Sequence, residues 1–412
     1  MPSHAWWRHL GAQRFFIGLP LYYMAENMWT IVLLWRVLKL THSPVWMAWG
    51  VAAQTIPMVV VGIWGAHRGG GKTLSYLVGA QVLAMGSGGW LAPGQAIGLI
   101  VLAALNGWLY ARVIPSAQAY LMRTTSDPHL SRASARYELG SRVGVLLGPV
   151  VGGASLVVLP VGWILTVIAV LWAAVWWTWR GIPQDLVTRA PGAQEKTTWS
   201  GFHQAVTVVA RDRFLGTALV IRGMNNLLWP AFTLAIPLLS LEVWHAGAGG
   251  FGVLRSVWGL STILGTLVVV PLFVNRLQSV YFLSWLVSGI GFFAIAVSPL
   301  YAWALAASVI GALGSPLVHV ALDTHIGRHI DKDLQGRLFA LQQFIMSVLN
   351  VMGLGLVSWG LEVTTPGTLL ATAGIIMMMA ALFGLFWWWR VRPPAATSYG
   401  QASVIDAGEL DG

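Results

Sequence analysis

The sequence predicts an all-α integral membrane protein with twelve transmembrane helices in two pseudo-symmetric six-helix bundles. Three observations predict it. Of the 412 residues, 57% are hydrophobic and only 9% are charged, with a mean hydropathy of +0.70, whereas a soluble chain carries about a quarter charged residues. Long uncharged apolar runs recur along the whole chain, and each approaches the roughly 20 residues that a helix needs to cross a hydrocarbon core. Lys and Arg gather in alternate gaps between those runs.

The runs are 15–35, 45–64, 73–90, 96–121, 137–159, 161–179, 214–239, 249–273, 280–297, 300–322, 338–359 and 368–389. Helices are expected because lipid leaves the backbone of an open sheet unsatisfied, and a barrel shows short alternating segments instead of solid apolar runs. Trp35, Trp64, Trp90, Trp179, Trp359 and Trp389 stand near span ends, the places of an interfacial aromatic belt.

With the amino terminus in the cytoplasm, eighteen of the 24 Lys and Arg fall on that side, from Arg8 to Arg392. Only Arg36 and Lys39 fall opposite, while Arg112, Arg142, Arg222 and Arg255 lie within or at the edge of spans. The positive-inside rule then gives a multi-pass protein of the cell (plasma or inner) membrane with both termini cytoplasmic. The net charge of +10 is dispersed over many loops, so anionic lipid accounts for it and nucleic acid is not an expected partner. With no Cys, disulfides, thiolate metal sites and cysteine nucleophiles are excluded. No small-residue cleavage site follows the first apolar run, so that run is read as a retained helix.

The longest polar interval holds Pro183, Pro191, Gly192, Glu195 and Lys196. It divides the chain into an amino-terminal six-helix bundle (1–180), a cytoplasmic linker (181–213), a carboxy-terminal six-helix bundle (214–390) and a polar, disordered cytoplasmic tail (391–412). Ala66, His67 and Arg68 at the end of the second span are echoed by Val274, Asn275 and Arg276 after the eighth, the offset that fusion of two like halves requires.

Two motifs sharpen this layout. The loop Gly62-Ile-Trp-Gly65-Ala-His67-Arg68-Gly-Gly70-Gly71-Lys72-Thr-Leu74 resembles the loop between helices two and three of the major facilitator superfamily. Arg68, Gly70 and Lys72 match that family's pattern, His67 stands where it usually has Asp, and Gly71 replaces one basic residue. The resemblance implies a cytoplasmic latch formed by Gly65, His67, Arg68, Gly70 and Lys72. In the fifth span, Gly144-Val-Leu-Leu-Gly148-Pro149-Val-Val-Gly152-Gly153 fits the family's antiporter pattern G-x-x-x-G-P-x-x-G-G at every fixed position. Gly at four-residue spacing opens one helix face to close backbone approach, and Pro bends the rod; generic small-residue packing is the plainer explanation of the same residues. The stretches 130–153 and 335–340 add to the likeness, which runs from about Phe15 to Arg390. Within the superfamily it is similar to the bacterial drug and siderophore exporters, of the enterobactin-exporter and macrolide-efflux kinds.

Gly69-Gly70-Gly71-Lys72-Thr73 imitates the end of a phosphate-binding loop, but Ala66 occupies the place of the first Gly and an apolar span precedes it, so ATPase chemistry is not expected. Energy must come from a gradient. An ionisable side chain inside a bilayer is costly and marks a functional position by default. Glu26 lies about eleven residues into the first span, roughly 16 Å deep. It is the proton-coupling candidate, a role the exporter resemblance also implies; the plainer alternative is a Glu fixed by hydrogen bonds to a neighbouring helix.

Arg112, Arg222, Asn225 and Asn226 are candidates for the wall of a central cavity, against the alternatives of snorkelling for Arg112 and interhelical hydrogen bonding for the others. Glu138 and Arg142 are spaced to pair on one helix as a structural bridge or gate. His325 and His329 are read as part of a solvated inside loop beside Asp331 and Asp333, and neither a metal site nor a cofactor is expected. The sequence therefore reads as a non-enzymatic secondary transporter, a monomer exporting a small amphipathic or hydrophobic compound in exchange for protons. An importer of a nutrient or metabolite, and a non-transporting receptor or assembly factor, are the alternatives on the same scaffold.

Overall fold

A computed structural model describes residues 10–64, 71–91, 94–125, 127–180, 182, 206–273, 276–330 and 332–391. The described residues are helical apart from short connectors. In chain order the long helices are α1 (Leu10–Thr41), α2 (Pro44–Trp64), α3 (Gly71–Leu91), α4 (Ala96–Thr124), α5 (Asp127–Val158), α6 (Val161–Trp179), α7 (Arg213–Glu242), α8 (Gly247–Phe273), α9 (Leu277–Ala296), α10 (Tyr301–His329), α11 (Lys332–Val363) and α12 (Pro366–Val391). Residues 206–211 add a helical turn before α7. A π-helical stretch, Gly265–Val269, interrupts α8, and Gly314 divides α10 ahead of Pro316.

Ten of these helices are long and apolar enough to cross a membrane. The other two, α1 and α3, fall in predicted spans but are more polar. The first carries Arg14, Glu26, Asn27, Arg36 and Lys39, and the second carries Gln81 and a run of Gly and Ser. Each predicted apolar run coincides with one helix, and most helices extend beyond it because their polar end turns carry no hydropathy signal.

The helices pair in a repeating scheme. Among the first six, α1 packs on α5, α2 on α4 and α3 on α6. The same scheme shifted by six pairs α7 with α11, α8 with α10 and α9 with α12. The two sets meet through α5 against α8 and α2 against α11, contacts that exchange into one another under the same shift. Within each set short connectors make neighbouring helices antiparallel, and the last turns of α5 meet the first turns of α8 at Gly153, Ala248 and Gly252, so one end of the molecule holds the start of α1 and the end of α12. That end is called the terminal end below, and the opposite one the far end.

The glycine motif of α5 makes two of these contacts. A Cβ at Gly144 would lie 2.5 Å from Tyr23 Cβ, and one at Gly148 would lie 2.6 Å from the Met24 carbonyl oxygen. At Gly152 it would lie 3.1 Å from the Met28 carbonyl oxygen. This stripe is the seat of α1, reached because hydrogen alone fits there. Gly153, on the next face, touches α8, where a Cβ would sit 2.6 Å from the Ala248 carbonyl oxygen and 3.0 Å from Gly252 Cα.

Tryptophan placement corrects the simple belt. Trp359 and Trp389 face outward, but Trp35 and Trp179 are buried. Trp35 stacks on Phe251 at 6.4 Å, and Trp179 stacks on Phe15 and Tyr22 while its Nε1 donates to the Phe15 carbonyl. Closeness to a span end placed all of them alike in the sequence; interhelical packing claimed two.

Candidate functional site

Glu26 stands at the middle of α1 and is 5% exposed. A carboxylate this deep needs donors, and α2 and α4 supply them. Gln54 Nε2 donates to Glu26 Oε1 at 2.7 Å, and Asn106 Nδ2 donates to Oε1 and Oε2 at 3.0 and 3.1 Å. From α3, Gln81 Nε2 donates to Asn106 Oδ1 at 2.9 Å and to the Tyr22 hydroxyl at 3.3 Å. Tyr22 stacks on Tyr110 with nearly parallel rings 6.2 Å apart. Four helices therefore converge on one acid. Among the described residues every group that donates to the carboxylate is an uncharged amide. Such donors orient a carboxylate without neutralising it, so a proton can still discharge it.

The structure does not bring Arg112 into this cluster. Its guanidinium lies 3.5 Å from the centre of the Trp108 ring, a cation–π contact. Arg112 Nε is buried with no hydrogen-bond partner.

Glu138 and Arg142 pair along α5 at 2.7 Å, and both are water-accessible. Next to Glu138 in the chain, Tyr137 meets Tyr23 hydroxyl to hydroxyl at 3.0 Å and ties α5 to α1. From the second set, His319 of α10 lies within electrostatic reach of Arg142. Arg222 of α7 approaches His319 Nδ1 to 3.3 Å through Nη2, and Asp323 is also within its electrostatic reach. His319 and Asp323 are exposed and Arg222 partly so. Ionisable side chains of both sets, Glu138 and Arg142 from the first and Arg222, His319 and Asp323 from the second, thus come near one another toward the terminal end. Toward the far end the sets are in contact through Gly153 and Gly252, through Trp35 and Phe251, and through Ser256 Oγ donating to the Leu146 carbonyl at 2.6 Å.

Asn225 is buried, donating to the Ile221 carbonyl at 2.9 Å while its Oδ1 lacks a partner. Asn226, its neighbour on α7, is partly buried. Arg255 of α8 lies 5.4 Å from the centre of the Phe232 ring. Gly65, His67, Arg68 and Gly70 of the predicted latch lie outside the described residues, as do most of the 181–213 linker and all of the 391–412 tail except Val391. Lys72 belongs to α3, but its side chain is also outside the description.

One sequence expectation is corrected. His325 and His329 belong to the last turns of α10 rather than a loop, and His325 is buried, 4.6 Å from the Phe214 ring. Its Nε2 lies 2.7 Å from Asp212 Oδ2 and its Nδ1 3.0 Å from Gln278 Nε2. Asp212 in turn caps α7, accepting from the Leu215 backbone N–H at 2.9 Å. Among the described residues no three His, Cys, Asp or Glu converge in a metal-binding group.

The amides Gln54, Gln81 and Asn106 and the imidazole of His319 escaped the sequence reading. Their signal was an uncharged polar side chain within an apolar run, which does not by itself distinguish a site from a structural hydrogen bond.

Stacked apolar helices of this length, with a buried acid held by amides from neighbouring helices, define a multi-pass membrane protein. The family profile for the Major Facilitator Superfamily matches residues 15–279, and the chain belongs to that superfamily. Among solved structures it is similar to a variant of the peptide transporter POT in complex with alafosfalin, at 14% identity and a TM-score of 0.71, over 92% of this chain and 94% of that one. A nucleoside transporter NupG variant gives 13% identity and a TM-score of 0.70, over 92% and 99% of the two chains. A POT family transporter in complex with 5-aminolevulinic acid gives 11% and 0.72, over 94% and 97%. At such identities the likeness establishes the fold. Comparison with curated proteins returns no match.

Proposed function

We propose that this chain is a proton-coupled exporter of a small amphipathic compound, working by alternating access, with Glu26 as the protonation site. The observation that carries the reading is the buried Glu26 carboxylate, held by Gln54 and Asn106 with no cation among its donors in the described residues. An acid that joins three helices and keeps its charge has a different set of contacts when protonated, and a pre-existing two-state rearrangement of those helices is thereby coupled to a proton.

The repeating pairing scheme supports a division into two six-helix bundles, 1–180 and 214–390, that rock about the α5–α8 and α2–α11 seams. The excess of Lys and Arg at the terminal end supports a cytoplasmic location for both termini, and in this reading a cleft between the bundles opens to the cytoplasm at that end, while the far end is closed by the α5–α8 contacts. The glycine motif of α5, seated on both α1 and α8, supports the antiport direction through its likeness to the exporter pattern. Glu138, Arg142, Arg222 and Asn226 fall to the cleft wall in this reading, and Asn225 lies behind it.

Oriented vesicles carrying the protein and an imposed pH gradient test the proposal. A panel of amphipathic compounds is offered, and the face on which one accumulates gives the direction. Accumulation against the proton gradient, lost in Glu26→Gln, is the expected result. Flux that is indifferent to pH, or unchanged in Glu26→Gln, would remove the proton from the mechanism.

A further inference from the structure

We infer that Arg255 is a binding site for the anionic group of the transported compound, which is therefore an amphipathic organic anion bearing a carboxylate, sulfonate or phosphate on an apolar body. The inference rests on the transporter reading above and deepens it.

Arg255 lies eight residues after the first residue of α8, about 12 Å from that end at helical rise. Its position fixes where it points. Phe251, one turn nearer the far end on the same face of α8, stacks on Trp35 of α1. Trp258, on the same face toward the terminal end, packs on Phe232 of α7 at 4.6 Å. Arg255 stands between these two contacts, so it faces the space bounded by α1, α7 and α8, where the two helix sets meet. The Phe251–Trp35 stack lies between Arg255 and the far end.

A guanidinium in that place is costly unless it meets an anion. Among the described residues it has none, since no ion pair forms and the charge rests against the Phe232 ring. Among the other cations of the spans, Arg142 has Glu138 and Arg222 has His319 with Asp323 nearby. Arg112, like Arg255 without an anion among the described residues, rests on the Trp108 ring, which is exposed and so does not face the space between the sets. Arg255 alone combines an inward position with five donors in a fork that matches two oxygens of a carboxylate, sulfonate or phosphate. Its surroundings supply the apolar half of the site: Trp229, Phe232, Trp258 and Phe292 form one aromatic cluster beside it.

The test uses the full chain purified in detergent and three probes of one shape: naphthoate, neutral naphthalenemethanol and cationic naphthylmethylammonium. Thermal unfolding is followed by the loss of helical circular dichroism. Naphthoate alone should raise the midpoint by several degrees, Arg255→Gln should abolish that rise, and Arg255→Lys should keep part of it. Equal protection by all three probes, protection by the ammonium compound only, no protection by naphthoate, or an unaltered response in Arg255→Gln would each overturn the inference. If Arg255→Gln does not fold, the three probes on the unsubstituted chain and Arg255→Lys still decide. Glu26→Gln run beside them separates the two readings. Unchanged pH-driven flux with the anion preference intact removes the proton role alone, and proton-driven flux without anion preference removes the Arg255 site alone.

Discussion

Replacing Gly153 by Ala should loosen the closure at the far end. The new methyl carbon would lie 2.6 Å from the Ala248 carbonyl oxygen and 3.0 Å from Gly252 Cα. Both obstacles are backbone, so no rotamer change relieves them. Restoring an ordinary contact of about 3.4 Å requires α5 and α8 to part by about 0.8 Å, and overpacking of this kind costs about 1–3 kcal/mol. The strain exists only while the two sets touch there, so it is released when the far end opens. A differential of that size changes the ratio of the two states by about 5- to 150-fold. The absence of native Cys makes the assay clean. Spin labels on Leu159→Cys and Leu300→Cys, both exposed at the far end, report the separation by pulsed dipolar spectroscopy. Gly153→Ala should add a longer-distance population, whereas Gly86→Ala, where a Cβ meets nothing within 4 Å, should not. A Gly153→Ala protein with an unchanged distance distribution and unchanged melting would refute the packing argument.

Other positions give separate expectations. Asn106→Leu removes two of the three hydrogen bonds to Glu26 and one of the two acceptors of Gln81 Nε2; leaving these buried groups short of partners should cost about 1–3 kcal/mol in thermal stability. Glu138→Gln breaks an exposed pair on one helix, so stability should fall by no more than about 0.5 kcal/mol, measured by the same melt. Asp212→Ala removes the cap of α7 and should cost about 0.5–2 kcal/mol. Burial raises the Asp212 carboxyl, but hydrogen bonds from His325 and the Leu215 backbone outweigh it and hold the group below its ordinary value. Its contribution is therefore full above the unfolded aspartate pKa and is lost as pH falls through the lower folded one, which acid melts of Asp212→Ala and the unsubstituted chain should show by converging.

The helices were legible in the sequence because lipid imposes a simple rule on long apolar runs, and every run chosen by that rule coincides with a helix. Glu26 was legible for the complementary reason, since a lone acid in such a run stands out. Its partners were not. Gln54, Gln81 and Asn106 are uncharged, sit on three other helices and are brought together only by the packing of α2 on α4 and of α3 on α4. Arg112 was singled out by charge and depth, while the partner its helix face gives it, the Trp108 ring, was not legible. His325 was misplaced because the polar residues that follow it look like a loop, while the helix persists through them and packs the ring against Phe214. The glycine pattern of α5 was legible as close packing, though which partner each glycine meets depends on a helical face and became readable only with α1 and α8 in place.

The central claim is that a proton on Glu26 is coupled to movement of the transported compound. Its most direct test compares two fluxes in vesicles for a compound that the panel identifies: uphill accumulation driven by a pH gradient, and downhill exchange without one. Glu26→Gln should lose the first by at least tenfold and retain the second. Retention of uphill, pH-driven accumulation in Glu26→Gln would contradict the account.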